Sequence, residues 1–240
     1  MTAANSTATN NKVAKFIGAL LLVQMFAGIW LNFFFYKPIF AEPVQLSDEK
    51  IQLMVGFGVL LAFFLSAINF AVCLVSKPLL FGRFQKHFIC ALSLAAIALC
   101  LTAMEGNKLS ELTAWIIYAN NQAPDSLPLM GESSLFKEYV RHILATGRNK
   151  THFMAIFVSS LSILLFYTLL LRTRLLPAPL IYFAVTACSL QVIAVGHAQF
   201  GLTIPVLLQV PLAINQLVIP IYLIIKGFNQ DQQRALGAEI

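Results

Sequence analysis

The chain has 240 residues, 59% of them hydrophobic and only 11% charged, with a mean hydropathy of +0.79. Soluble domains carry about 25% charged residues, so this balance excludes an ordinary soluble domain and points to a protein built inside a bilayer. The net charge of +6 comes from basic residues scattered along the chain. No basic cluster dense enough for nucleic acid occurs, and topology accounts for the charge instead.

Residues 1–11 are small and polar and read as a disordered tail. Lys12 and Lys15 precede the first apolar run, residues 16–35. That run is longer than the 7–15 residues of a signal h-region. Tyr36-Lys37-Pro38 follows it where a small-residue cleavage site would stand, and Ile39-Phe40-Ala41 is only a weak cleavage candidate. Gln24, Gly28 and Asn32 recur every fourth residue and mark an inward face, read first as a source of interhelical hydrogen bonds.

A loop over 36–50 leads to a second span, 51–76, with a stripe of Gly58, Ala62, Ser66, Asn69 and Cys73 at helical spacing. Small residues there let a neighbouring backbone approach. A basic loop carrying Arg83, Lys86 and His87 follows, then a third span over 88–104. All four cysteines (Cys73, Cys90, Cys100, Cys188) fall inside predicted spans without metal or redox spacing, and read as small core residues.

Residues 105–150 form the one long extramembrane segment. Leu109, Leu112, Trp115, Ile116 and Ala119 give one short amphipathic pattern. Phe136, Tyr139, Val140, Ile143 and Leu144 give a second, with Ser134 placed to cap it and Gly147 to end it. The pattern predicts short interfacial helices in an outer loop, with a lid over a cavity as the functional alternative.

The fourth span, 151–171, has a polar stripe of His152, Ala155, Ser159 and Ser162. The fifth, 180–197, contains Gln191. The sixth, 203–226, carries Pro205, Pro211, Pro220, Gln209, Asn215 and Gln216. At 100° per residue, Pro205, Gln209, Ala213, Gln216 and Pro220 share a face, with Asn215 and Pro211 on another. Amides have no place against lipid, so the first face is expected to look into the bundle and this helix to be kinked and central. The expected polar cluster comprises Gln24, Asn69, Gln191, Gln209, Asn215 and Gln216.

The reading is therefore an all-α, polytopic six-helix bundle: one domain over 12–230 and a polar tail over 231–240. With both termini inside, nine basic residues lie on the inner side (Lys12, Lys15, Lys77, Arg83, Lys86, Arg172, Arg174, Lys226, Arg234), against Lys37 and Lys50 in the short outer loops. The positive-inside rule favours that orientation.

The ending PLAINQLVIPIYLIIKGFN and the stretch LLFYTLLLRTRLLP, with Arg172, Arg174 and Pro177, resemble the DUF4386 family of six-helix bacterial membrane proteins. The long loop between the third and fourth spans is similar too. The resemblance implies a multi-pass architecture in a bacterial cell membrane and supplies no activity. The family often carries a glutamate in the last helix where this chain has Gln216, so a proton-linked role does not carry over.

Glu105, His152 and His197 all fall at the outer ends of predicted helices, with His142 nearby. A carboxylate and two histidines are a divalent-metal ligand set, and equally a set of interfacial residues; no HExxH-like spacing fixes a geometry. His152 and His197 are the only pair available to a bis-histidine haem. Gly131-Glu132-Ser133-Ser134 has no preceding strand and is not a nucleophile elbow. No cofactor is expected. Three function classes are open: a structural or regulatory bundle, or one binding a small apolar or amphipathic ligand; a small transporter with its site on the last helix; and a metal-dependent membrane enzyme using the outer Glu/His group. The scarcity of intramembrane charge weighs against the ligand-binding, transport and enzyme readings, and no catalytic residue stands out. The lipid bilayer is the one partner the sequence demands.

Overall fold

The computed structural model describes residues 3–40, 47–121 and 133–229. Every regular element among them is helical. They are α1 (Ala3–Trp30), a π-helical turn (Leu31–Tyr36), α2 (Lys37–Phe40), α3 (Asp48–Val75), α4 (Lys77–Asn121), α5 (Ser133–Thr173), α6 (Ala178–Gln199), a 3-10 turn (Val206–Leu208) and α7 (Val210–Ile225). Six helices are long and apolar enough to cross a membrane. The architecture is the expected all-α six-span bundle.

The helices pack as a ring. α1 lies against α3, α3 against α4, α4 against α5, α5 against α6, α6 against α7, and α7 returns to α1. Each sequence neighbour is thus a spatial neighbour, and the ring closes between the first and last helices. The α1–α7 seam depends on Gly18. A Cβ there would stand 2.7 Å from the Pro220 carbonyl oxygen and 2.9 Å from Ile224 Cγ1. Gly106 does the same for α4 on α3, where a Cβ would meet Val59.

Several expectations are corrected. The first helix neither starts after residue 11 nor stops at 35. Ala3, Ala4 and Ala8 are strong helix formers on a helix already nucleated. At the other end, a π turn carries the chain on to Phe40. The basic stretch after α3 is not a loop. Ser76 ends α3 and α4 starts at Lys77, with Pro78 in its first turn, where no donor is needed. The break falls at Phe84, whose φ of −120° and ψ of 31° are non-helical.

The largest difference concerns residues 105–150. The two amphipathic patterns are helical, but they are not separate helices. They are the continuations of α4, 38 residues long from its break at Phe84, and of α5, 41 residues long, or about 57–62 Å each. This is roughly twice the hydrocarbon thickness of a bilayer. Leu109, Leu112 and Ile116 share the face of buried Glu105 and keep it buried along α4. The two extensions pack on each other, but Leu135, Phe136, Tyr139 and Ile143 of α5 stay exposed, an apolar face suited to the membrane surface. Trp115 Nε1 donates to the Lys137 carbonyl (3.3 Å) and Lys137 Nζ to the Ala119 carbonyl (3.0 Å). Gly147 sits inside α5 rather than ending it. The linker expected over 120–131 lies almost wholly outside the described residues, as does the 231–240 tail.

The last helix is a stave of the ring and not its centre. It touches α1 and α6, and its buried residues are Asn215, Ile219, Pro220 and Leu223. Of the face expected inside, Pro220 is buried and Ala213 is exposed, while Gln216 is open to a cleft inside the bundle. The 3-10 turn over Val206–Leu208 puts Pro205 and Gln209 out of phase with Gln216 and Pro220; within the regular helix from Val210, packing on α1 and α6 selects the face of Asn215, Ile219 and Leu223. Pro211 falls in that first turn, which leaves Pro220 as the single interior proline of α7.

Candidate ligand cleft

At the centre of the ring lies a cleft of about 270 Å³. It is built from stripes on separate helices. α1 contributes Gln24 and Gly28, and Asn32 and Tyr36 follow from the π turn. α3 contributes Ala62, Leu65, Ser66 and Asn69. α5 contributes His152, Ala155, Ile156, Ser159, Ser160 and Ile163. Thr102 and Glu105 of α4, Gln191 of α6, and Leu212 and Gln216 of α7 complete the wall. A narrower pocket of about 40 Å³, room for a water or two, shares Gln24, Asn69, Ile163, Leu212 and Gln216. It ends on Cys73, Ser162, Tyr167 and Pro220.

One end of the cleft carries an ionic group. Arg148 Nη2 donates to Glu105 Oε1 at 2.6 Å, with both side chains over nine-tenths buried. His152 Nδ1 approaches the same oxygen at 3.0 Å without the alignment of a hydrogen bond. The Arg148 guanidinium lies 5.2 Å from the centre of the Tyr36 ring, in cation–π range. Four residues from three distant parts of the chain thus converge. The π turn is what delivers Tyr36. An extra residue in the turn rotates Leu31 and Tyr36 inward, and both are buried. Gly58 of α3 packs beside it, where a Cβ would make ordinary contacts with Tyr36, Leu31 and Phe35 at 3.5–3.6 Å. Such π turns are frequent at functional sites.

Further in, the wall is uncharged and its amides are partly committed. Gln24 Nε2 donates to the Leu65 carbonyl (3.1 Å), Asn32 Nδ2 to the Gly28 carbonyl (2.9 Å) and Asn69 Nδ2 to Ser159 Oγ (2.9 Å). Gln191 is only 9% exposed, and its Oε1 meets no donor among the described residues. In three of these amides the donor end is engaged within the protein. For Gln24 and Asn32 a backbone carbonyl as partner fixes which end that is.

Of the residues expected to cluster, the structure brings Gln24, Asn69, Gln191 and Gln216 onto this cleft. Asn215 lies elsewhere, fully buried and close to Tyr167, with neither amide atom in hydrogen-bonding geometry. Gln209, at the junction of the 3-10 turn and α7, lines neither the cleft nor the pocket below it. Of the metal candidates, Glu105 and His152 meet but His197 does not join them; its Nδ1 faces the Ile193 carbonyl at 2.8 Å on its own helix. No group of three His, Cys, Asp or Glu side chains converges among the described residues. A guanidinium already holds the carboxylate, which sets a like charge against any incoming cation. Arg148 and Tyr36 were missed by the sequence reading. The signal for Arg148 was present: Arg148, His152, Ala155, Ser159 and Ser162 run at helical spacing on one face of α5.

No protein-family model, no curated protein and no solved structure matches this chain.

Proposed function

We propose that this chain is a ligand-binding membrane bundle whose central cleft holds a small amphipathic molecule rich in hydrogen-bond donors. One observation carries the reading: the cleft wall offers acceptors. Gln24 and Asn32 turn their amino groups away to backbone carbonyls, and Gln191 Oε1 is buried without a donor. A buried polar group left unpaired costs about 1–3 kcal/mol, so a hydroxyl or amine that reaches Gln191 is favoured there. With Glu105 neutralised by Arg148, nothing in the cleft demands a charged ligand. The apolar share of the wall, Leu31, Leu65, Ile156, Ile163 and Leu212, suits the rest of an amphipathic molecule.

Transport of the same ligand is the second reading. It is favoured by the deeper pocket that continues from the cleft and shares Gln24, Asn69 and Gln216 with it. Membership of the DUF4386 family, residence in a bacterial cell membrane and termini on the cytoplasmic side belong to the same proposal. They rest on the last-helix motif and on the distribution of lysine and arginine.

Mass spectrometry of gently extracted protein tests the ligand class. The wild type is expected to carry a hydroxyl- or amine-bearing compound that Gln191→Leu loses while melting at a similar temperature. The same compound retained equally by both proteins, or one without donors, counts against the reading. The wetness of the cleft is tested by Gln216→Glu beside Gln216→Leu. Both are expected to fold, with the new carboxylate titrating in contact with solvent. A Gln216→Glu protein that fails to fold beside a stable Gln216→Leu would show dry packing.

A further inference from the structure

At the opposite end of α5 from the Glu105–Arg148 pair lies a second cavity, of about 520 Å³, where α5 hands over to α6. Arg172 and Arg174 line it, with Pro177, Ala178, Tyr182 and Asn229, and no lining residue is acidic. Arg172 has a contact with His87 Nε2 at 3.2 Å, a neutral or positive neighbour and never a counter-ion. Ala178 opens α6, and no side chain caps that helix start. Pro179 has no amide hydrogen, so the first free donors of α6 come from Ala178 and Leu180. Two guanidiniums and the positive end of a helix therefore border one cavity. Guanidinium forks match phosphate oxygens in geometry as well as charge.

Arg174 stands in the left-handed region, at φ 52°, where a helix C-terminus ordinarily uses glycine. Glycine would hold this turn with less strain, but it would not bring a guanidinium to the cavity. Tyr182 is 61% exposed beside it, the kind of aromatic residue that sits at headgroup depth.

We propose that this cavity is a phosphate site and that its occupant is a phosphate-bearing group, from either the headgroup of an anionic phospholipid or free inorganic phosphate. Basic pockets between transmembrane helices bind anionic headgroups by this chemistry.

The test uses the full chain in detergent, titrated with phosphatidylglycerol, phosphatidylcholine or inorganic phosphate, with bound lipid counted by native mass spectrometry. Arg172→Gln and Arg174→Gly are made singly and together. Lys86→Gln/Lys226→Gln removes the same charge from residues that do not line the cavity. The expected result is at least tenfold weaker phosphatidylglycerol retention in the double arginine variant, a smaller loss in each single variant, and retention near wild type in the lysine control. Phosphatidylcholine is expected to bind weakly throughout. Phosphatidylglycerol that millimolar inorganic phosphate cannot displace identifies a lipid headgroup. Displacement, or phosphate-induced stabilisation lost with the arginines, identifies the free anion as an occupant. Equal losses in the arginine and lysine variants reduce the effect to general surface charge and overturn the site, as does unchanged retention of phosphatidylglycerol in the double arginine variant. If the double variant does not fold, the two single variants decide by the same comparison.

Discussion

Glu105 of α4 and Arg148 of α5 form a buried ion pair at 2.6 Å, and it joins the two longest helices where they border the cleft. Removing one partner leaves the other charge buried, which typically costs about 3–5 kcal/mol. Glu105→Leu and Arg148→Met are each expected to destabilise by that order. The double variant is expected to cost at least about 2 kcal/mol less than the sum, because neither charge is then stranded. Thermal or denaturant unfolding in detergent measures this cycle; strict additivity would mean that the pair is not coupled.

The α1–α7 seam gives a second expectation, drawn from two glycines on one helix. A Cβ at Gly18 collides with the Pro220 carbonyl, whereas one at Gly28 meets nothing within 4 Å. Gly18→Ala is expected to destabilise by about 1–3 kcal/mol through overpacking. Gly28→Ala is expected to stabilise by about 0.5–1 kcal/mol through helix propensity. Equal melting temperatures for the two variants would rule out the close approach at Gly18.

Arg174 is the sole non-glycine residue with positive φ among those described. Relieving a left-handed conformation is worth about 1–2 kcal/mol, offset in part by the added freedom of glycine when unfolded. Arg174→Gly is therefore expected to melt about 2–4 °C higher in the absence of anionic lipid. A lower melting temperature would show that the arginine holds the turn together itself.

Orientation is read by labelling intact cells with an impermeant thiol reagent, after all four cysteines have been replaced. Glu49 and Gln85 are both exposed and lie near opposite ends of adjoining helices. Glu49→Cys is expected to react from outside, and Gln85→Cys only after permeabilisation. The reverse pattern would invert the topology.

Much of the cleft was legible in the sequence because its walls are helices, whose period is fixed. The stripes Gln24-Gly28-Asn32, Ala62-Ser66-Asn69 and His152-Ala155-Ser159 all reach the same space. The last helix was legible from Val210 on, where Gln216 reaches the cleft and Pro220 the pocket beside it; Gln209 left that face because the 3-10 turn ahead of Val210 changes the period. Tyr36 was hidden for a similar reason, since a π turn has no sequence signature comparable to an apolar stripe. Arg148 escaped notice because a buried charge was read as part of a polar loop. Its pairing with Glu105, 43 residues away, and the Tyr36 ring beside it make that burial tolerable.

The ring also has a consequence for biosynthesis. Its closing seam joins the first helix made to the last: Gly18 receives Pro220 and Ile224, and Asn11 lies against Gly227. While the chain is being synthesised, α1 enters the bilayer some 200 residues before its partner exists. Until then the cleft has an open side, and the amides of Gln24 and Asn32 face whatever occupies that gap. A chain that stops before α7 has five of the six spans and a cleft that lacks the wall supplied by Leu212 and Gln216.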